Sequence, residues 1–168
     1  MDYARAQAYA RAMLRNTLPA ITAFAFALFP AAPAMAAPAD AGGPRATSAK
    51  TGVTITTRSI SGFGQVLVDG RGMPLYIFTA DRGKTSRCYG DCAAAWPVTY
   101  ASGTPRARGG ARKDLLGTTR RTDGRIQATY RGRPLYYYVD DRPGVALCHN
   151  VREFGGLWLL VRANGKRV

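Results

Sequence analysis

Asp81 and Asp141 end two stretches of one pattern, Tyr76-Ile77-Phe78-Thr79-Ala80-Asp81 and Tyr136-Tyr137-Tyr138-Val139-Asp140-Asp141, set a constant 60 residues apart. Two carboxylates in duplicated settings are the residue types that act as an acid–base pair or hold a hard metal ion when they converge. No other stretch of the chain forms an oxygen-rich ligand loop, and the basic balance of the chain supplies arginines to satisfy a carboxylate. The pattern therefore favours a structural use, in which each aspartate accepts backbone N–H bonds or pairs with a basic residue of the opposite repeat. Tyr76, Phe78, Tyr136 and Tyr138, with Tyr137 between the last two, combine apolar area with polar tips. Such residues suit either a core whose hydroxyls reach its rim or a surface that stacks on a ligand.

Three thiols are the other reactive groups. Cys88 and Cys92 lie four apart with Gly90 between them to let the loop fold back, which favours a disulfide in an exported chain. Cys148 stands 60 residues after Cys88. It is the candidate unpaired thiol, and the alternative is a bridge from Cys148 to either of the others. Cys148-His149 is the one place that suggests soft-metal, haem or redox chemistry, since the chain has a single histidine. Neighbouring residues on a strand point to opposite faces, so the pair neither converges as a dyad nor completes a metal site. No cofactor is expected, and no reaction follows from these residues.

The elements that position them read as mostly β. Val66–Val68, a turn at Asp69-Gly70, and Leu75–Phe78 form one hairpin; Ile126–Tyr130, a turn at Arg131-Gly132, and Leu135–Val139 form its copy. Alternation places Leu75 and Ile77 on one face and Tyr76 and Phe78 on the other, so the strand should be covered on both sides. Gly117–Arg121 reads as a further strand and Leu157–Val161 as the closing one, turning at Asn164-Gly165. Asp91–Trp96 reads as a short helix capped by Asp91 and stopped by Pro97, Asp114–Gly117 as a single helical turn, and Pro105–Lys113 as a solvated basic loop. The expected architecture is a small single domain of two related β-hairpin repeats with one or two short helices.

Residues 1–36 read as a secretory signal peptide: Arg5, Arg11 and Arg15, an apolar run from Leu18 to Phe29, and Ala34-Met35-Ala36 as the cleavage site. A run of about twelve residues is too short for a hydrocarbon core of roughly 30 Å. No cysteine stands near Ala36 to accept a lipid, so the product is expected to be periplasmic or secreted and not lipid-anchored. Residues 37–52 read as a flexible linker and 53–168 as the folded domain. Losing Arg5, Arg11, Arg15 and Asp2 with the leader takes the formal charge from +14 to +12. The basic residues are scattered along the chain and favour anionic cell-envelope components as partners, or another envelope protein, over any specific nucleic acid.

These residues together carry a resemblance. Leu67-Val68-Asp69 with Pro74 to Asp81, the Cys88-Tyr89-Gly90-Asp91-Cys92-Ala93-Ala94-Ala95-Trp96-Pro97 segment, Leu116 to Asp141, and Phe154-Gly155-Gly156-Leu157-Trp158 resemble the bacterial secreted repeats of unknown function. That family is also described as predicted lipoproteins with a Tyr-x-(Phe/Trp/Tyr)-x-x-Asp motif. The resemblance spans Val66 to Gly165 and implies an exported cell-envelope β domain with no known reaction. The absence of a lipid-acceptor cysteine and the presence of Cys148 depart from the family pattern.

Overall fold

The computed structural model describes residues 52–168. The signal-peptide segment 1–36 and nearly all of the linker lie outside the described residues. Among the described residues no helix is long and apolar enough to cross a membrane.

The domain is mostly β, in three small sheets. In the first, β1 (Thr54–Ile60) lies between β2 (Gly64–Asp69) and the two-residue β4 (Arg106–Ala107). In the second, β9 (Gly156–Leu160) lies between β3 (Tyr76–Phe78) and β8 (Val151–Glu153). The third is the meander β5 (Leu116–Arg120), β6 (Ile126–Tyr130) and β7 (Arg133–Pro134). A short helix α1 (Asp91–Ala95) links the two repeats.

Several elements differ from the sequence expectation. β1 pairs antiparallel with β2 from Ile55↔Asp69 to Ile60↔Gly64, a hairpin not expected from its Thr-rich sequence. The Asp69-Gly70 turn does fold back, at Val68↔Pro74, but β3 then leaves to pair with β9, with Phe78 opposite Trp158. In the second copy only Arg133–Pro134 continues the ladder; beyond it Tyr137 and Val139 donate their backbone N–H groups to Pro97 and Ala95. Part of the supposed basic loop is β4, which extends the first sheet parallel to β1. Asp91 does not cap α1: the residue ahead of it, Gly90, takes the N-cap at φ 54°, with no side-chain hydrogen bond. That backbone angle is open to glycine and steers the chain directly into the helix.

β3 is covered on both sides, as its alternation requires. Tyr76 and Phe78 join Ile60, Val66, Val68, Trp96, Trp158 and Leu160 in one apolar cluster. Leu75 and Ile77 join Ile55, Leu67, Leu135, Leu159 and Val161 in the other. β2 and β9 alternate between the same two clusters, so the three strands form the wall that both layers share.

Candidate functional site

The two motif tyrosines meet in the buried core of the described domain. Tyr76 and Tyr136 exchange both backbone hydrogen bonds, 2.9 Å and 3.0 Å, in an antiparallel bridge between the repeats. Crossing there sends each tyrosine side chain toward the aspartate of the other copy. Tyr76 Oη donates to Asp141 Oδ2 at 2.7 Å, and Tyr136 Oη donates to Asp81 Oδ2 at 2.9 Å. The second oxygen of each carboxylate accepts a backbone N–H six residues on in its own loop, Arg87 N at 2.8 Å and Leu147 N at 2.9 Å. The loops themselves match in phase, with bridges at Arg82↔Thr85 and Arg142↔Val145. The opposite repeat thus supplies a tyrosine where the sequence suggested an arginine, because the aromatic side chain spans the crossing while Arg82 and Arg142 turn away with their loops.

Beyond this symmetry the two carboxylates differ. On the Asp81 side, Tyr136 Oη also lies 2.7 Å from Ser86 Oγ, and Ser86 Oγ accepts from Arg121 Nη1 at 2.7 Å. The equivalent of Ser86 in the second copy is Ala146, so Asp141 has no such extension. Arg121 is buried, and its guanidinium also donates to Gln127 Oε1 at 2.8 Å and to the carbonyl of Cys88 at 2.6 Å. One hydroxyl proton per group satisfies the line if Arg121 donates to Ser86, Ser86 to Tyr136 and Tyr136 to Asp81. Ser86 carries no sequence signal for this role, since Arg121 and Tyr136 stand 35 and 50 residues away from it.

Burial sets the proton affinities. Desolvation pushes the Asp81 carboxyl up to about 6, against the pull of the Arg87 N–H, the Tyr136 hydroxyl and the Arg121 charge. Asp141 is likewise raised by burial, opposed by Tyr76 and the Leu147 N–H. Tyr76 and Tyr136 are both raised, first by burial and also by the carboxylates they serve, so each stays a neutral donor. A raised aspartate binds its proton in the folded chain after the unfolded chain has released it. Stability on this account falls as pH rises from about 4 to about 6 and is flat above that. His149 acts in the opposite sense, because burial and Arg162 lower its value and the folded chain resists protonation below the ordinary histidine range. The expected result is therefore a difference: the stability of Asp81→Asn relative to the parent rises between pH 4 and pH 7. Urea denaturation at the two pH values checks it, and a relative fall would contradict the assignment.

Cys88 and Cys92 are joined in a disulfide, with Cα atoms 5.2 Å apart, at the start of α1. Cys148 is a free, half-buried thiol, raised first by burial; the Tyr138 hydroxyl opposes the shift and the charges of Asp141, Glu153 and Asp140 add to it. A raised thiol holds little thiolate and is a weak nucleophile. His149 Nδ1 accepts the Leu160 N–H at 3.2 Å, and its ring packs on Phe63. Among the described residues no group of three His, Cys, Asp or Glu side chains is placed to hold a metal ion.

The aromatic residues fill the core. Trp158 stacks on Phe78 at 4.1 Å and on Trp96 at 4.0 Å, and Tyr136 meets its ring edge-on at 5.2 Å. Tyr76 meets Trp96 edge-on, while Tyr138, half-buried, leans on its other side. The sequence profile of secreted repeats of unknown function matches residues 58–99 and 117–162, one segment for each copy. The chain belongs to that family. It is a secreted protein in which both repeats build one shared core. No curated protein and no solved structure matches the chain.

Proposed function

We propose that this secreted repeat is a non-enzymatic protein of the periplasm or cell envelope, in which the paired Tyr-x-aromatic-x-x-Asp motifs are clamps that stiffen a domain engaging anionic envelope components. The observation that carries the reading is the exchange of tyrosine hydroxyls between repeats. Asp81 and Asp141 each accept one hydroxyl from the other copy and one N–H from their own loop. Carboxylates held this way tie strand ends and loops together, and general acid–base work would need an oxygen directed at a substrate. Tyr76, Phe78 and Tyr136 support the same reading, since all three are buried. The formal charge of +12 that remains without residues 1–36 supports the choice of partner.

A double-mutant cycle on Tyr76→Phe and Asp141→Asn tests the clamp. Tyr76→Phe leaves a partly desolvated carboxylate short of a donor, which costs about 1–3 kcal/mol. The two changes should be non-additive, because both act on the same Tyr76–Asp141 bond. Unchanged stability in both variants, combined with lost binding to anionic envelope vesicles, would show instead that the motif is a ligand site.

A further inference from the structure

Two turns from distant parts of the chain lie against each other and border an open cavity of about 450 Å³ lined by Arg131, Arg133, Gly165, Lys166 and Arg167. One is the two-residue hairpin between β6 and β7, where Tyr130 pairs with Arg133. The other is the C-terminal hairpin, closed at Val161↔Arg167. Tyr130 Oη donates to the Ala163 carbonyl at 2.7 Å, and Gly165 lies directly beneath the aliphatic stem of Arg131, where a Cβ would approach it to 2.6 Å. The turns are therefore held in a fixed relation, and four cationic side chains border the space between them. Among the described residues none of the four pairs with a carboxylate.

The first repeat shows what such a turn looks like when its charge is neutralised. Arg71, the counterpart of Arg131, is bound by Asp69 through both Nε and Nη2 at 2.9 Å, and Asp69 also caps the turn at Arg71 N and Met73 N. In the second repeat Thr129 stands in place of Asp69 and Arg133 in place of Met73. The carboxylate is lost, one cation is gained, and Arg131 sits at φ 48°, a left-handed backbone angle uncommon outside glycine. Like charges around one cavity repel, and a bound anion relieves that repulsion. Planar guanidinium forks match the oxygens of a phosphate.

Arg133 and Arg167 are shared with an adjoining cavity of about 300 Å³, which is lined further by Phe78, Thr79, Asp81 and Gly83. We propose that the two cavities form one site for a phosphate ester of a polyol or sugar. The phosphate lies among Arg131, Arg133, Lys166 and Arg167, and the hydroxyls face Thr79. The proposal rests on the envelope-binding reading above and names the ligand class and the place.

Titration calorimetry with sn-glycerol 3-phosphate, and co-sedimentation with phosphatidylglycerol vesicles against phosphatidylcholine vesicles, test it on the exported chain. Binding of the soluble ester alone identifies a free phosphate ester as the ligand, and binding of phosphatidylglycerol vesicles identifies a lipid headgroup; either supports the site when it depends on Arg133 and Arg167. Arg133→Gln with Arg167→Gln should weaken binding at least tenfold. Arg106→Gln with Arg108→Gln removes the same charge from exposed positions outside the cavities and should change it less than twofold, with melting temperatures recorded for both. Equal losses in the two variants would overturn the site while leaving envelope binding intact. Absence of binding by the parent chain to every probe would overturn both.

Discussion

Replacing Trp158 with alanine is expected to remove about 3–5 kcal/mol of folding stability, the range for truncating a large buried aromatic side chain. A domain of this size has roughly 5–15 kcal/mol in total, so the variant should sit near the edge of folding. The reason is its place in the core. Trp158 is fully buried between Phe78 of the first repeat and Trp96, and it receives the edge of Tyr136 from the second repeat. Each such aromatic pair contributes about 0.5–1.5 kcal/mol beyond its buried area. Removing Trp158 empties the layer that joins the copies.

The milder changes order the two indoles. Trp158 Nε1 is buried with no hydrogen-bond partner among the described residues, whereas Trp96 Nε1 donates to Glu153 Oε2 at 2.9 Å. Trp158→Phe therefore removes a donor that gains nothing in the fold, and Trp96→Phe leaves a carboxylate without its partner. Trp96→Phe should be the more destabilising of the two in chemical denaturation. The reverse order would mean that stacking area outweighs the Glu153 bond.

Much of this core was legible in the sequence because local pattern carries it. The alternation of Leu75, Tyr76, Ile77 and Phe78 needs nothing beyond the two-residue period of a strand, and the structure places the pairs in opposite clusters. The closing strand at Leu157–Val161 is similarly a compact apolar run before a turn. β1 was not legible, since its two apolar residues, Ile55 and Ile60, lie five apart and break the alternation, while threonines fill the space between them. It is a strand because β2 offers a long apolar partner. The link from Tyr76 to Asp141 was also hidden. The repeat shows two tyrosines and two aspartates, but which tyrosine serves which aspartate depends on the crossing at Tyr76 and Tyr136. The arginines that look scattered along the chain behave the same way: Arg131, Arg133 and Arg167 meet only because two turns pack together.

Arg121 carries the second large expected effect, and it links stability to the protonation of Asp81. Its side chain is 1% exposed, and its guanidinium serves Ser86, Gln127 and the Cys88 carbonyl, with the Tyr89 ring 4.2 Å from its central carbon. Nε has no close hydrogen bond but lies 3.5 Å from Asp123 Oδ2, an ion-pair contact that accounts for it electrostatically. Arg121→Ala takes the charged donor away from three buried neutral acceptors, and each acceptor left short in this way costs about 1–3 kcal/mol. Arg121→Lys should recover only part, because one ammonium cannot replace a planar fork reaching three acceptors on different elements. A second readout separates this network from simple packing. Arg121 lowers the proton affinity of Asp81, so its charge helps keep that carboxyl from rising beyond about 6. In a folded Arg121→Gln variant the Asp81 carbon resonance should titrate at a higher pH than in the parent, while in Arg121→Lys, which keeps the charge, the midpoint should move less. An unmoved midpoint in the glutamine variant would mean that Arg121 supports the fold without acting on the carboxylate.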